Sequence, residues 1–190
     1  MGWIGVAGCA LVSLAILIAP AFVPDYDWIR DTISDLAAGD SKWIVDYGLY
    51  AFAAGLAATA FGMWHVHPGG RGWTAASVAI GVAALAVLVI GARDEYGDGD
   101  TGGLVIHSYV VMAYGLAMAV AAFAAAPGAA AARGWFRPAL IGLGLLWCLA
   151  SPYFFFMGTS WDGLYERGLG LIAAAITVIL DRVLIADPEA

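Results

Sequence analysis

Lysine is almost missing from this chain. Lys42 is the single example, and eight basic residues face fifteen acids, for a net charge of −7. A basic patch for nucleic acid is therefore absent, and nucleic acid is excluded as a partner. No long apolar run holds a lysine, which excludes a retinal Schiff base. Histidine is scarce too, with three residues and no pair repeated across apolar runs, which argues against a b-type haem carrier. The two cysteines, Cys9 and Cys148, lie inside apolar runs. They read as buried free thiols rather than a disulfide framework. No glycine-rich phosphate loop is present. No segment reads as a soluble domain or long linker, and no inverted repeat of the kind found in many transporters is visible.

Charge itself is in short supply, at 12% of residues against 63% hydrophobic. A soluble domain carries about 25% charged residues. The charges cluster between long apolar runs, and a bilayer core needs about 20 apolar residues per helix. The chain is thus expected to be all-α, a polytopic integral membrane protein with six spans in one domain. The spans run approximately over residues 3–23, 42–64, 73–92, 104–126, 135–156 and 162–185. The first lacks a basic leader and is long, so it reads as an uncleaved helix rather than a signal peptide. Pro20 and Pro24 mark its end, and Asp40 or Ser41 can cap the second span. Gly48, Gly55 and Gly62, with Ala51 and Ala58, form a stripe that lets a neighbouring helix approach closely. Residues 65–71 read as a tight turn and Pro127–Arg133 as a loop, and Pro152 should bend the end of span five. Trp3, Trp28, Trp43, Trp64, Trp73, Trp135 and Trp161 fall at helix ends, as an aromatic belt requires.

Six spans place both termini on one side, together with Arg71, Arg133, Arg137 and Arg182. Arg30, Lys42 and Arg93 share the other side. By the positive-inside rule the termini are cytoplasmic, in the cell membrane. Connections one–two, three–four and five–six then share the outer face, and they carry the polar clusters. The first holds WIRDTISDLAAG, where Asp27, Asp31 and Asp35 recur at four-residue spacing. A short helix would stack these acids on one face, with Arg30 the nearest neutralising charge.

From these clusters Asp35, His107 and Glu166 are candidate proton-transfer or metal groups. Arg30, Asp31, Ser34, Asp94 and Arg167 are candidate ligand-binding groups, with Arg167 suited to an anionic headgroup. Glu166 and Arg167 lie about one turn inside a span, where ionisable residues face the interior and usually mark function. They also admit a structural role, an ion pair of Arg167 with Asp31 or Asp35 that locks the last helix to the first loop. Thr32 and Asp35 have capping-box spacing. His107 with Asp94, Asp98 and Asp35 or Glu166 forms a mixed, unspaced ligand set, so a divalent metal is a second choice behind a solvated acidic turn. A calcium loop starting at Asp98 fails, because its twelfth position is Tyr109. His65 and His67 read as headgroup-level residues. Tyr153–Phe156 reads as lipid-facing, or as a wall for an apolar tail.

Three stretches, TISDLAAG at Thr32–Gly39, the acidic turn and histidine at Asp94–His107, and GLYERGLGL at Gly163–Leu171, resemble the bacterial and archaeal membrane family called domain of unknown function 998. Their order and spacing cover essentially the whole chain. Two departures stand out: the family's usual Phe-Pro before the acidic turn is Ala92-Arg93 here, and the glycine after the histidine is Ser108. The resemblance implies the six-span fold and marks positions without supplying an activity. Two functions fit the residues. One is a membrane-embedded enzyme acting on a lipid or isoprenoid-like substrate, with half-buried carboxylates doing acid–base work. The other is a lipid-binding, sensing or assembly protein in which the polar cluster is structural. Membrane lipids and a small-molecule or lipid ligand are the expected partners, and the sequence sets neither cofactor nor oligomeric state.

Overall fold

The computed structural model describes residues 1–37, 41–68, 70–92, 106–158 and 160–186. Among them there is no strand. The helices are α1 (Gly2–Ile18, continued by a 3-10 turn at Ala19–Phe22), α2 (Ile33–Leu36), α3 (Trp43–His65), α4 (Arg71–Ala92), α5 (Ile106–Ala132), α6 (Phe136–Tyr153, continued by a 3-10 turn at Phe154–Phe156) and α7 (Asp162–Ala186). All but α2 are long and apolar enough to cross a bilayer, and the chain is a multi-pass membrane protein. Backbone groups in hydrocarbon must be satisfied within the segment, which long helices achieve. Neighbours in sequence are neighbours in space, and α7 closes the ring by packing on α1 as well as α6.

The small-residue stripe of α3 faces α1 and α7. A Cβ on Gly48 would sit 2.5 Å from the Ala15 methyl, one on Gly55 3.2 Å from Gly8 Cα, and one on Gly62 2.7 Å from Leu184. With no hydrophobic drive between helices in lipid, such backbone-close packing is what holds them together.

The structure corrects the sequence expectation in three places. The loop expected at Pro127–Arg133 is helical as far as Ala132. Proline costs α5 one backbone bond, but Ala125, Ala126 and Ala129 are fully or nearly buried. Gly128 lies against the Trp73 ring, where a Cβ would come within 2.8 Å, so tertiary packing and a run of alanines prevail. Trp73 is the second correction. It is 1% exposed and donates Nε1–H to the carbonyls of Met63 and Val66 at 2.7 and 2.9 Å. It closes the end of α3 from inside, whereas the other six belt tryptophans are exposed. Third, α3 has no side-chain cap from Ser41, whose hydroxyl instead donates to Phe22 O at 3.2 Å; Asp40 lies outside the described residues. The histidines of the α3–α4 turn have local partners: His65 Nδ1 meets Phe61 O, and His67 Nε2 meets Thr74 Oγ1, both at 2.9 Å. Pro152 acts as expected, since α6 gives way to a 3-10 turn just after it.

Candidate functional site: a roofed apolar cavity

The α1–α3 connection begins at Asp25, whose φ of 56° turns the chain in the left-handed region that aspartate tolerates better than most residues. Asp27 Oδ1 accepts from the amides of Ile29 and Arg30 at 2.9 and 3.3 Å. Those two bonds, and then the Arg30 charge, hold the Asp27 carboxyl below the usual range. Asp31 Oδ2 accepts from Asp27 N at 2.7 Å. Asp35 completes a capping box with Thr32: its Oδ2 accepts from Thr32 N at 2.7 Å, and Thr32 Oγ1 accepts from Asp35 N at 3.1 Å. The three acids therefore do not stack on a helix face, because only Ile33–Leu36 is helical and each carboxylate is drawn to backbone N–H groups instead. Arg30 is exposed. Leu36, fully buried on Ala19 and Val45, pins α2 to the bundle. Full burial of a leucine contributes about 1.5–3 kcal/mol.

The first turns of α7 hold this connection down. Gly163 lets the Asp31 backbone cross the helix in contact: a Cβ there would overlap the Asp31 carbonyl oxygen. Leu164 N donates to Ile29 O at 3.0 Å. Glu166 Oε2 accepts from Ile33 N at 2.5 Å. Arg167 Nη1 donates to Asp31 O at 3.1 Å and to Gly163 O at 2.7 Å, and Nη2 donates to Tyr26 Oη at 2.5 Å. The guanidinium also lies 4.6 Å from the Trp28 ring centre, a cation–π distance. Tyr26 Oη in turn reaches Asp31 O and Thr32 O at 2.7 and 2.8 Å. Burial raises the Tyr26 phenol above its ordinary value, against the opposing pull of Arg167. In place of the ion pair expected between Arg167 and Asp31 or Asp35, Arg167 bonds main-chain oxygens and Tyr26 Oη, while those carboxylates accept from Asp27 N and Thr32 N.

Beneath this roof lies a cavity of about 810 Å³. Its walls are mostly apolar and come from α1, α3, α4, α5, α6 and α7; Trp28, Ile33 and Ser34 close the top beside Glu166 and Arg167. Leu17, Met112, Leu116 and Leu171 line it and are also more than half exposed on the outer surface, so the cavity communicates sideways with the surroundings of the bundle. Gly168 and Gly170, where a Cβ would meet nothing within 4 Å, leave space on α7. His107 lines the cavity, and its Nδ1 is buried without a hydrogen-bond partner.

The candidates Ser34, His107, Glu166 and Arg167 are thus brought to one cavity. Asp31 and Asp35 belong to the roof's own bonding, and Arg30 stands outside. Asp94, with Asp98, lies outside the described residues. Among the described residues, no three His, Cys, Asp or Glu side chains come together as a metal site.

Two polar cavity residues escaped the sequence reading, Tyr114 and Ser151, and Cys148, expected to be buried like Cys9, is exposed while lining the cavity. His107, Val111 and Tyr114 share one α5 face at helical spacing, a signal that was available. A second polar feature, Asp181, is wholly buried in α7. Its Oδ1 accepts from Thr59 Oγ1 at 2.7 Å, its Oδ2 has no partner, and Gly5 passes so closely that a Cβ would overlap the carboxylate.

Among curated proteins and among solved structures, no match to the chain was found. The family model described as protein of unknown function (DUF998) matches residues 6–182, a stretch that takes in the roof, the cavity walls and the α7 anchors alike, and the chain belongs to that family.

Proposed function

We propose that this protein holds the apolar part of a long-chain membrane amphiphile in the cavity, and that it does so as a binding protein rather than an enzyme. The observation that carries the reading is the cavity itself. Its volume falls within the ~300–1,000 Å³ typical of ligand sites. Its walls are apolar with a few polar groups at one end, and it opens sideways where hydrocarbon chains would lie. The acid–base candidates support binding over chemistry. Asp35 caps α2, while Glu166 and Arg167 anchor the roof. The Lys and Arg counts on the connections, four against three, favour a roof at the outer face with the termini in the cytoplasm.

Native mass spectrometry in mild detergent tests this directly. A stoichiometric long-chain species is expected, released when a bulky residue is placed in the cavity by Gly170→Leu. A protein that carries no such species, and whose melting is indifferent to added lipid, refutes the reading. The enzyme reading has one observation in its favour: His107, whose Nδ1 has no hydrogen-bond partner among the described residues, lines the same cavity as Ser34. It predicts that His107→Gln leaves the bound species unchanged but stops its turnover.

A further inference from the structure

We infer that the head of the bound amphiphile is uncharged and oxygen-bearing, as in a long-chain alcohol, and is not a phosphate or carboxylate. This rests on the cavity reading above and adds the chemistry of recognition to it.

The charged groups at the top of the cavity are poorly suited to an anion. Arg167 directs both terminal nitrogens to Asp31 O, Gly163 O and Tyr26 Oη, and its face to Trp28. Its Nε is buried, out of contact with the open space. Glu166, whose Oε2 accepts from Ile33 N, lines the same space with an acceptor group and offers an anionic head no donor. A charged head drawn into an apolar site with no free counter-charge among the described residues is penalised by desolvation.

The groups left for recognition are of another kind. Ser34, His107, Tyr114 and Ser151 all line the cavity, and among the described residues none of their side chains has a hydrogen-bond partner. Serine and tyrosine hydroxyls both donate and accept, and a neutral imidazole does one or the other at each nitrogen. With His107 Nδ1 buried, Nε2 is the nitrogen that a ligand can reach. This set matches a hydroxyl or carbonyl, which needs partners of both senses and brings no charge. Ser34 belongs to the roof, so the head sits at the top and the chain runs down past Trp147.

Tryptophan quenching by brominated chains separates the alternatives. Trp147 is 4% exposed and lines the cavity, so the difference between wild type and Trp147→Phe isolates its signal. The probes are an octadecanol brominated at mid-chain and its phosphate monoester, titrated into the full-length protein in mild detergent. The alcohol is expected to quench Trp147 at a concentration about tenfold lower than the phosphate, a difference of about 1.4 kcal/mol. The double variant Ser34→Ala, His107→Leu should narrow that gap by weakening the alcohol alone. Should that variant fail to fold, the wild-type comparison still decides. Equal or tighter binding of the phosphate overturns the head-group inference and leaves the cavity reading standing. If neither probe quenches Trp147, the cavity reading falls and takes the inference with it.

Discussion

Gly163→Ala tests whether the roof hangs on α7 as described. A Cβ at this position would overlap the Asp31 carbonyl oxygen and lie 2.7 Å from its carbon, against the 3.4 Å or more of ordinary contact. The obstacle is backbone on both sides, so no rotamer change relieves it. The connection must lift away from the helix. Lifting stretches the Leu164 N to Ile29 O bond, now 3.0 Å, and the Arg167 Nη1 to Asp31 O bond, now 3.1 Å. A neutral hydrogen bond is worth about 0.5–1.5 kcal/mol and one from a charged donor about 1.5–3, so a loss of about 2–4 kcal/mol is expected. Reversible unfolding in mixed micelles reads that loss. Hydrogen exchange localises it, because the Ile33 amide held by Glu166 should lose protection while α3 and α4 keep theirs. Gly168→Ala, on the same helix but facing nothing within 4 Å, is the control. It should stabilise by about 0.5–1 kcal/mol through helix propensity. A Gly163→Ala protein within about 0.5 kcal/mol of wild type, with Ile33 still protected, would show that the roof does not depend on this crossing.

Three further outcomes follow from the same contacts. Arg167→Lys keeps the charge but loses the planar fork that serves Tyr26, Asp31 and Gly163 together; a loss of about 1–3 kcal/mol is expected in the micelle assay, and a wild-type unfolding curve would contradict it. Gly5→Ala should destabilise by about 1–3 kcal/mol through overpacking against the Asp181 carboxylate, and adding Asp181→Ala should recover much of it. Strict additivity in that double-mutant cycle would deny the contact. Tyr26 has a raised phenol pKa from burial, so the stability it lends is present below the ordinary tyrosine value of about 10 and is lost as pH climbs through the higher folded value. Trp28 fluorescence should report an alkaline opening of the roof that Tyr26→Phe lacks, and an identical profile in that variant would remove Tyr26 from the account.

The six spans were legible because the bilayer demands long apolar helices, and composition records that demand directly. Helix ends were legible where local chemistry sets them, as at Pro152 and in the Thr32–Asp35 box. They were not where packing prevails: nothing local to Pro127 announces that Trp73, far back in the chain, will cover Gly128. The roof was read in part. Sequence singles out Glu166 and Arg167 as costly side chains, but their partners include an amide and carbonyl oxygens, which no residue letter distinguishes. An acid near an arginine suggests an ion pair, whereas the folded chain presents main-chain oxygens that fit the guanidinium better. Asp181 was not singled out in the sequence. Its spacing from Thr177 and Leu184 puts it on a buried face, and that periodicity was the missed signal. The cavity is in part an absence of a side chain at Gly170, and an absence emerges only once the helices are placed.

The glycine seams have a mechanical consequence. Helices α1 and α3 touch backbone to backbone, and α3 is tied to α4 through Trp73 at one end and through Tyr50 Oη to Gly91 O, at 2.9 Å, at the other. Such a slab cannot yield without breaking van der Waals contact along its length. By contrast α6 is the least enclosed of the spanning helices, with 17% of its residues inside the bundle, and it flanks α7 across the cavity. Deformation under load should therefore be one-sided. The slab of α1, α3 and α4 acts as a chassis, and any breathing of the chamber falls to α6 swinging outward from α7.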